Sequence, residues 1–572
     1  MNNHNAQISA RKYFYNIEIN KLIIVPVIVL IILTMLEQIQ NSYIDDPFTY
    51  TDLVLAKLLK NDSITSEPFS IDGYWQKDGN FRHTRLAPSI LLLSLEYVTN
   101  ISSSILITVF YLGNIFIPIL MFTLVYKLTR SSIIASLSSI YTIFSLPHTD
   151  FGHATLGFIC YLIIIILFFN IIKYKVNKWL IFPFGLIFLS LLMTYYIAEV
   201  FTILFFGYSC LLLYIYYMSR RNNININRAG QYNIIRITMI YFIMFIIIYL
   251  AFDSSTIKTY ISSRGASLET LQEKLFNYFN VVMNLFTDVN EGNENAVSSL
   301  VYENRLIPSL IFVKNIILLF SIFIPLGIWF SERSARKPQE SNFTLPMVKY
   351  ILVFSITSFL ISITEILIYG SIGGTLGIRH LGFIYGVSIF FLLMVRQSTI
   401  KILVIILLLT LLFLSISIYY LKINDNYYTY YKGKNYKDLY NNMTEWLFTT
   451  NNNGNVMTSH QLSAFIFSKS VDYNLHDKIR INPLDKKSYF LLQRLELCND
   501  ISVGKNTLVI PTAITNKPLF GELWQTRKEG KIINALAPSP EIIKSINTYS
   551  CINKIYNDNN SLIYINKIDI FR

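Results

Sequence analysis

Long apolar runs, separated by short polar stretches, fill most of the first 421 residues of the chain. About 20 consecutive apolar residues cross a lipid bilayer as a helix. The first run covers residues 21–36 and continues for one further helical turn. The later runs cover residues 103–128, 132–147, 154–173, 179–194, 196–217, 233–252, 306–330, 347–370, 381–396 and 399–421. This pattern predicts about eleven transmembrane helices.

Shorter apolar patterns lie in the polar stretch 41–102 that follows the first run. Residues 50–59 carry an apolar stripe at helical spacing. Residues 87–98 form a second short apolar segment, with Pro88 near its first turn. Both are too short to span a bilayer, so we expect two helices along the membrane interface. A further stripe at residues 268–286 predicts an amphipathic helix in a later polar stretch.

Lysine and arginine residues are concentrated in alternate loops between the apolar runs. These residues are Lys127 and Arg130; Lys173, Lys175 and Lys178; Arg220, Arg221 and Arg228; Arg333, Arg336 and Lys337; Arg396 and Lys401. Basic loops stay in the cytoplasm. We therefore expect a multi-pass protein of the plasma (inner) membrane whose N-terminus is cytoplasmic. The intervening loops and everything after residue 422 would then lie outside the cytoplasm.

The residues after 422 change in character and are rich in Asn, Lys, Asp and Tyr. Short apolar segments at 507–511 and 561–565 are typical of strands. The sequence thus predicts an α-helical polytopic membrane domain at residues 1–422 and a small extracytoplasmic α/β domain at 423–572. Cys498 and Cys551 share this last region, and the spacing leaves open whether they pair.

Composition agrees with a membrane protein. Hydrophobic residues make up 53% of the chain and charged residues 15%, whereas a soluble domain carries about 25% charged residues. The net charge is +13, but the Lys and Arg residues of the apolar part of the chain lie in short clusters between the apolar runs, with no basic motif or face of the kind that binds nucleic acid. We therefore expect the lipid bilayer, and no nucleic acid, as a partner.

Candidate functional residues gather on the predicted outer side. They are Asp45, Asp46, Arg85, His148, Asp150, Glu199, Arg379 and His380. A carboxylate can act as a general base or hold a divalent cation, and arginine and histidine can bind a phosphate by charge-assisted hydrogen bonds. These residue types are suited to transfer of a group from a lipid-linked phosphate at the membrane surface.

Simpler interpretations compete with this one. Charged residues at helix ends are often only solvated, and Asp-Pro, as in Asp46-Pro47, is a common turn opener. The spacing of His148, Asp150 and His153 matches no strong metal-binding signature. Glu199 differs because it lies between apolar runs, where a carboxylate is costly unless it is paired or faces a cavity.

Three segments together resemble the GT-C superfamily of polyprenyl-phosphate-sugar-dependent glycosyltransferases. The first is Asp45-Asp46-Pro47 opening the helix FTYTDLVLAKLL, and the second is RLAPSILLLSL, which begins at Arg85. The third is GIRHLGFIYGVSIFFLL, which contains Arg379 and His380. The resemblance covers residues 20–400 and is most specific at 40–95.

The resemblance implies a GT-C-like transmembrane domain that transfers a hexose or pentose from a polyprenyl-phosphate-linked donor to a lipid, glycan or protein acceptor. Asp45 or Asp46 would be the base or acceptor-orienting acid, and Asp150 would be a second acidic position. Arg379 would contact the donor phosphate, with His380, Glu199, Arg85 and His148 binding substrate. The second outer loop lacks a D-x-D motif, so involvement of Mg²⁺ or Mn²⁺ is left open.

Two other functions fit a polytopic membrane protein. Polysaccharide polymerases and ligases usually place functional Arg and His residues in a large loop late in the chain, whereas the largest polar region here follows the last span. A transporter without glycosyl transfer would show an internal repeat and discontinuous helices, and the sequence shows no repeat of fixed period. The glycosyltransferase is therefore the main expectation.

Overall fold

A computed structural model describes much of the chain. The described stretches are residues 86–102, 115–145, 153–174, 181–192, 196–219, 234–250, 306–334, 345–369, 380–394, 398–423, 436–450, 454–458, 479–483, 506–511, 524–528, 531–535, 552–557 and 561–566, with isolated positions between them. The predicted first span and the predicted amphipathic helix at 268–286 fall outside these stretches, apart from Ile28.

The described part of the chain is largely helical. The helices are α1 (Leu86–Thr99), α2 (Phe116–Thr129), α3 (Ser132–Ser145), α4 (His153–Tyr174), α5 (Ile181–Leu192), α6 (Tyr196–Ser219), α7 (Ile234–Leu250), α8 (Leu306–Phe320), α9 (Phe323–Ser334), α10 (Leu345–Tyr369), α11 (His380–Leu393), α12 (Ser398–Ile423) and α13 (Tyr436–Thr450). The strands are β1 (Gly454–Thr458), β2 (Ile479–Pro483), β3 (Asn506–Pro511), β4 (Trp524–Lys528), β5 (Lys531–Ala535), β6 (Ile552–Asn557) and β7 (Ser561–Asn566).

The helices confirm a helical membrane protein. Three stretches among the described residues are long and apolar enough to cross a bilayer, namely Ala198–Tyr216, Ser309–Phe330 and Ile400–Leu421. Other apolar helices are shorter, so the count of eleven spans stays a prediction. Apolar side chains of α12 such as Leu409 and Phe413 are exposed, as expected for a lipid-facing surface.

The chain divides into two compact units. One comprises Met1–Gln40, Leu112–Val282 and Leu306–Leu421, which we call the helical unit. The other comprises Asn41–Tyr111, Met283–Arg305 and Lys422–Arg572, which we call the mixed unit. The predicted division at residue 422 stays a prediction.

Aromatic side chains form much of the core of the helical unit. Phe206 of α6 contacts Phe168 of α4 and Phe245 of α7, each with ring centroids 4.9 Å apart. Phe184 of α5 stacks on Tyr241 of α7 with centroids 4.5 Å apart. Offset and edge-on aromatic pairs add about 0.5–1.5 kcal/mol each beyond area burial, and they join α4, α5, α6 and α7.

A short turn closes the α2–α3 hairpin. Arg130 adopts the left-handed conformation with φ 57°, and its backbone N–H donates to the carbonyl of Tyr126. This is the usual way to end a helix, although the position favours glycine or asparagine. Helix α3 begins two residues later, so α2 and α3 pack as antiparallel neighbours.

Two features of the later helices differ from the predicted spans. The run 306–330 is divided at Ser321–Ile322 into α8 and α9. Helix α11 begins with a π-helical turn, His380–Tyr385, continues as an α-helix over Gly386–Phe390, and ends in a 3₁₀ turn. π-Helical turns are rare in proteins, and those that do occur are often found at functional sites.

The mixed unit contains α1, α13 and the strands. Five strands form one sheet in the order β2-β1-β3-β7-β6, where β1 is parallel to β2 and β3, and the remaining pairs are antiparallel. Strands β4 and β5 form a separate two-stranded ribbon. Val509 of β3 pairs with Ile563 of β7, and both are buried.

Helix α1 packs against an apolar residue set from the same unit. Leu53, Ala56, Leu92 and Leu106 form a small buried cluster. Next to it, the Lys60 ammonium is hydrogen-bonded to the Glu96 carboxylate. This hydrogen bond, with the negative charge of Glu96, raises the pKa of Lys60 above its usual value.

Candidate functional site

Hydroxyl groups from two helices surround the imidazole of His380 in the helical unit. The ring is fully buried at the start of α11. Its Nε2 atom lies 3.2 Å from the hydroxyl of Tyr161 on α4, and its Nδ1 atom lies 3.0 Å from the Ser362 hydroxyl on α10. The ring of Phe201 on α6 meets it edge-on with centroids 5.0 Å apart. We call Tyr161, Phe201, Ser362 and His380 the histidine cluster.

A buried lysine forms a second polar cluster. Lys314 lies within the apolar helix α8 and is 7% exposed. Its ammonium group donates to the Ser145 hydroxyl at 3.0 Å and lies 5.1 Å from the centroid of the Tyr141 ring. The hydroxyls of Ser145 and Ser415 are 3.2 Å apart. We call Tyr141, Ser145, Lys314 and Ser415 the lysine cluster, which joins α3, α8 and α12.

The first turn of α11 connects the two clusters. The Tyr141 hydroxyl donates to the backbone carbonyl of Gly382 at 2.7 Å. Gly382 lies two residues after His380, so one helical turn touches both the histidine cluster and the lysine cluster. Arg379, the residue predicted to contact a donor phosphate, immediately precedes this turn in the sequence.

Both clusters lie at comparable depths from the helix ends. Tyr161 is eight residues after the start of α4, Lys314 eight residues after the start of α8, and Ser415 eight residues before the end of α12. Eight residues correspond to about 12 Å along a helix. These are the helix ends that the charge pattern predicts to face outside the cytoplasm.

Glu199 is fully buried in the first turn of α6. The positive end of the helix dipole favours a carboxylate there. Phe201, two residues further along, contacts His380, but residues two apart on a helix do not face each other. The substrate-binding role of Glu199 stays a prediction.

Most of the predicted site residues lie outside the described residues. They are Asp45, Asp46, Arg85, His148, Asp150 and Arg379. Within the described ranges no group of three or more His, Cys, Asp and Glu side chains is arranged to hold a metal ion. The predicted roles of these six residues stay predictions.

The sequence analysis missed Lys314, although its signal was present. Lys314 and Asn315 interrupt the apolar run 306–330, as Glu199 interrupts an earlier one. An ionisable residue inside a membrane helix indicates function by the same physical reasoning that singled out Glu199.

The fold and the two clusters define an α-helical membrane protein with a polar interior near one set of helix ends. Comparison of the sequence with protein-family models found no match, and comparison with curated proteins found none either.

Proposed function

We propose that this protein is a membrane glycosyltransferase that moves one sugar from a polyprenyl-phosphate-linked donor to a lipid, glycan or protein acceptor outside the cytoplasm. The observation that carries the proposal is the buried ammonium of Lys314 among serine hydroxyls, close to the first turn of α11. Lysine within the apolar part of a membrane helix is costly, up to about 2.5–3.5 kcal/mol at the helix centre by insertion scales. A role in binding an anion gives a reason to keep it there.

The chemistry follows from the residue types. Asp45 or Asp46 takes the proton of the acceptor hydroxyl, whose oxygen forms a bond to the anomeric carbon of the sugar. The bond from that carbon to the phosphate oxygen breaks, and the polyprenyl phosphate leaves with the electron pair. Arg379 and Lys314 stabilise the negative charge that develops on the phosphate, which is the electrostatic part of the catalysis.

Lys314→Met in the full-length protein tests this role. The protein would be reconstituted in nanodiscs with radiolabelled polyprenyl-phosphate-linked hexoses and pentoses. Loss of one charge-stabilising donor typically costs at least about a hundredfold in rate, so we expect transfer to fall by about that factor. Lys127→Met is the matched control, because Lys127 also contacts a neutral oxygen, Oδ1 of Asn170 at 2.9 Å, on the predicted cytoplasmic side.

The outcomes separate clearly. Full activity of Lys314→Met would remove Lys314 from the mechanism. Absence of transfer by the unmodified protein with every donor would contradict the glycosyltransferase itself. Asp45→Ala and Asp46→Ala test the base: full activity of both single variants would exclude the proposed role of that pair.

Transport is the second candidate, because Lys314 and Glu199 are both buried within membrane helices. Intramembrane ionisable residues also mark substrate and ion pathways. A flux assay in proteoliposomes distinguishes the two functions. Uptake of a sugar or anion that Lys314→Met abolishes, without sugar transfer from a polyprenyl donor, would favour the transporter.

A further inference from the structure

We propose that His380 is a positioning residue: its neutral imidazole, protonated on Nδ1, fixes the π-helical first turn of α11 and does not itself bind substrate. The functional part of this inference rests on the proposed glycosyl transfer. The protonation and the structural part rest only on the hydrogen bonds of the histidine cluster.

Ser362 determines which ring nitrogen carries the proton. Its hydroxyl donates to the backbone carbonyl of Ser358 at 2.8 Å, one helical turn earlier on α10. A serine hydroxyl has one hydrogen to donate. The oxygen of Ser362, 3.0 Å from Nδ1 of His380, must therefore accept in that contact. It follows that Nδ1 of His380 carries a hydrogen.

Tyr161 completes the assignment on the other side of the ring. In the neutral imidazole with hydrogen on Nδ1, the Nε2 atom is an acceptor. The Tyr161 hydroxyl, 3.2 Å away, donates to it. The edge-on ring of Phe201 and the full burial of His380 make a cationic imidazole costly. Neutral His380 therefore bridges α4 and α10. Its Nε2 atom accepts a hydrogen bond from the Tyr161 hydroxyl, and its Nδ1–H donates one to the Ser362 oxygen.

Helix α3 holds the same turn of α11 from another direction. The Tyr141 hydroxyl bonds to the carbonyl of Gly382, and Gly386 has no side chain where the Tyr141 hydroxyl approaches α11. Contacts from α3, α4 and α10 thus fix the turn over His380–Tyr385. Because Arg379 directly precedes this turn, the turn sets where the chain enters α11.

Direct binding of substrate by His380 would require one of its ring nitrogens. Both nitrogens are engaged by protein hydroxyls, those of Tyr161 and Ser362.

Nitrogen-15 NMR of the full-length protein in lipid bilayers tests the protonation. The chain has seven histidines, and comparison with His380→Asn identifies the signals of His380. We expect a protonated Nδ1 and an unprotonated Nε2, unchanged when the polyprenyl-phosphate-linked donor is added. A hydrogen on Nε2, or a shift of the His380 signals on addition of donor, would overturn the inference. This measurement does not depend on transfer activity, so it remains valid if the proposed function fails.

Kinetics test the positioning role. Each of these two hydrogen bonds holds the turn that directly follows Arg379, so Tyr161→Phe and Ser362→Ala are each expected to lower kcat several-fold with little change in the KM for the donor. Tyr214→Phe is the control, because Tyr214 is 49% exposed on α6. A KM that rises while kcat stays constant would indicate direct substrate binding instead.

Conservative replacements of His380 give a further readout. The amide of asparagine can take the place of Nδ1–H and donate to Ser362, whereas alanine provides no donor. We expect His380→Asn to keep several-fold more kcat than His380→Ala. Equal activities of the two variants would contradict the assigned role of the Nδ1 hydrogen bond.

Discussion

Gly386 lies where α11 and a side chain of α3 approach so closely that no side-chain atom fits between them. A Cβ atom at this position would lie 2.2 Å from the Tyr141 hydroxyl and 2.8 Å from two of its ring carbons. Tyr141 is held in place by its hydrogen bond to Gly382 and lies against the Lys314 ammonium. The missing side chain of Gly386 therefore allows the lysine cluster to meet α11.

Gly386→Ala tests this close approach. Alanine normally stabilises a helix interior by about 0.5–1 kcal/mol relative to glycine. Here the methyl group must displace Tyr141, and overpacking of this kind costs about 1–3 kcal/mol, so we expect Gly386→Ala to lower stability and sugar transfer. Gly185→Ala on α5, where nothing lies within 4 Å, should be neutral or stabilising. Thermal unfolding of the two variants in detergent checks the opposite signs.

Single residues could be predicted from the sequence only where their chemistry conflicts with their surroundings. Glu199 stood out because a carboxylate interrupts an apolar run, and the structure buries it fully. Lys314 follows the same rule and could have been found. The partners of His380 could not, because Tyr161 and Ser362 are 219 and 18 residues away in the chain. Contacts at such separations depend on helix packing, which a hydrophobic pattern does not specify.

At the scale of the helices, a serine hydroxyl and a proline determine where α8 ends and α9 begins. The Ser321 hydroxyl donates to the carbonyl of Leu318 at 2.6 Å and so competes with the helix hydrogen bonds. Pro325 has no backbone N–H to donate to the carbonyl of Ser321, four residues earlier. These two effects interrupt the apolar run at Ser321–Ile322. Because Ser321 gives its hydrogen to Leu318, its oxygen accepts from the Tyr385 hydroxyl at 2.9 Å.

Ser321 and Tyr385 should therefore be coupled between α8 and α11. Ser321→Ala removes the acceptor of a fully buried tyrosine hydroxyl, and an unsatisfied buried group costs about 1–3 kcal/mol. In Ser321→Ala combined with Tyr385→Phe, both partners are absent, so we expect part of this loss to be recovered. A double-mutant cycle of unfolding free energies measures the coupling, and strictly additive losses would contradict it.

Most helix positions could be predicted, and their internal irregularities could not. The predicted runs 132–147, 154–173 and 399–421 differ by at most two residues at each end from α3, α4 and α12. The interruption near Pro325 was readable from the proline. The π-helical turn at the start of α11 could not be predicted, because an α-helical turn and a π-helical turn can have the same pattern of hydrophobic residues. That turn is stabilised by Tyr141, Tyr161 and Ser362, which come from three other helices.

The whole molecule contains two units, each with its own buried core. Aromatic rings of α4–α7 pack in the helical unit, and Val509 and Ile563 are buried in the sheet of the mixed unit. The mixed unit also includes α1 and its cluster around Leu92. The mixed unit thus combines residues that come before the long helices with residues that come after them. No local pattern in the sequence indicates this combination.

Orientation in the membrane can be tested across the whole chain. The basic loops predict that residue 221 is cytoplasmic and residue 300 is outside. A fluorescent protein fused after residue 221 should fold and fluoresce, whereas alkaline phosphatase should be active only when it is fused after residue 300. The reverse pattern would invert the topology and move the two polar clusters to the cytoplasmic side.

The direction of hydrogen bonds in the helical unit has a consequence for proton movement. Ser362 and Ser321 each commit their only hydrogen to a backbone carbonyl of their own helix. A proton arriving by hopping through Tyr161 and His380 would halt at Ser362, because that hydroxyl could relay it only after breaking its bond to the helix. Proton transfer along these hydroxyls would thus require the Ser362 hydroxyl to turn away from the carbonyl of Ser358.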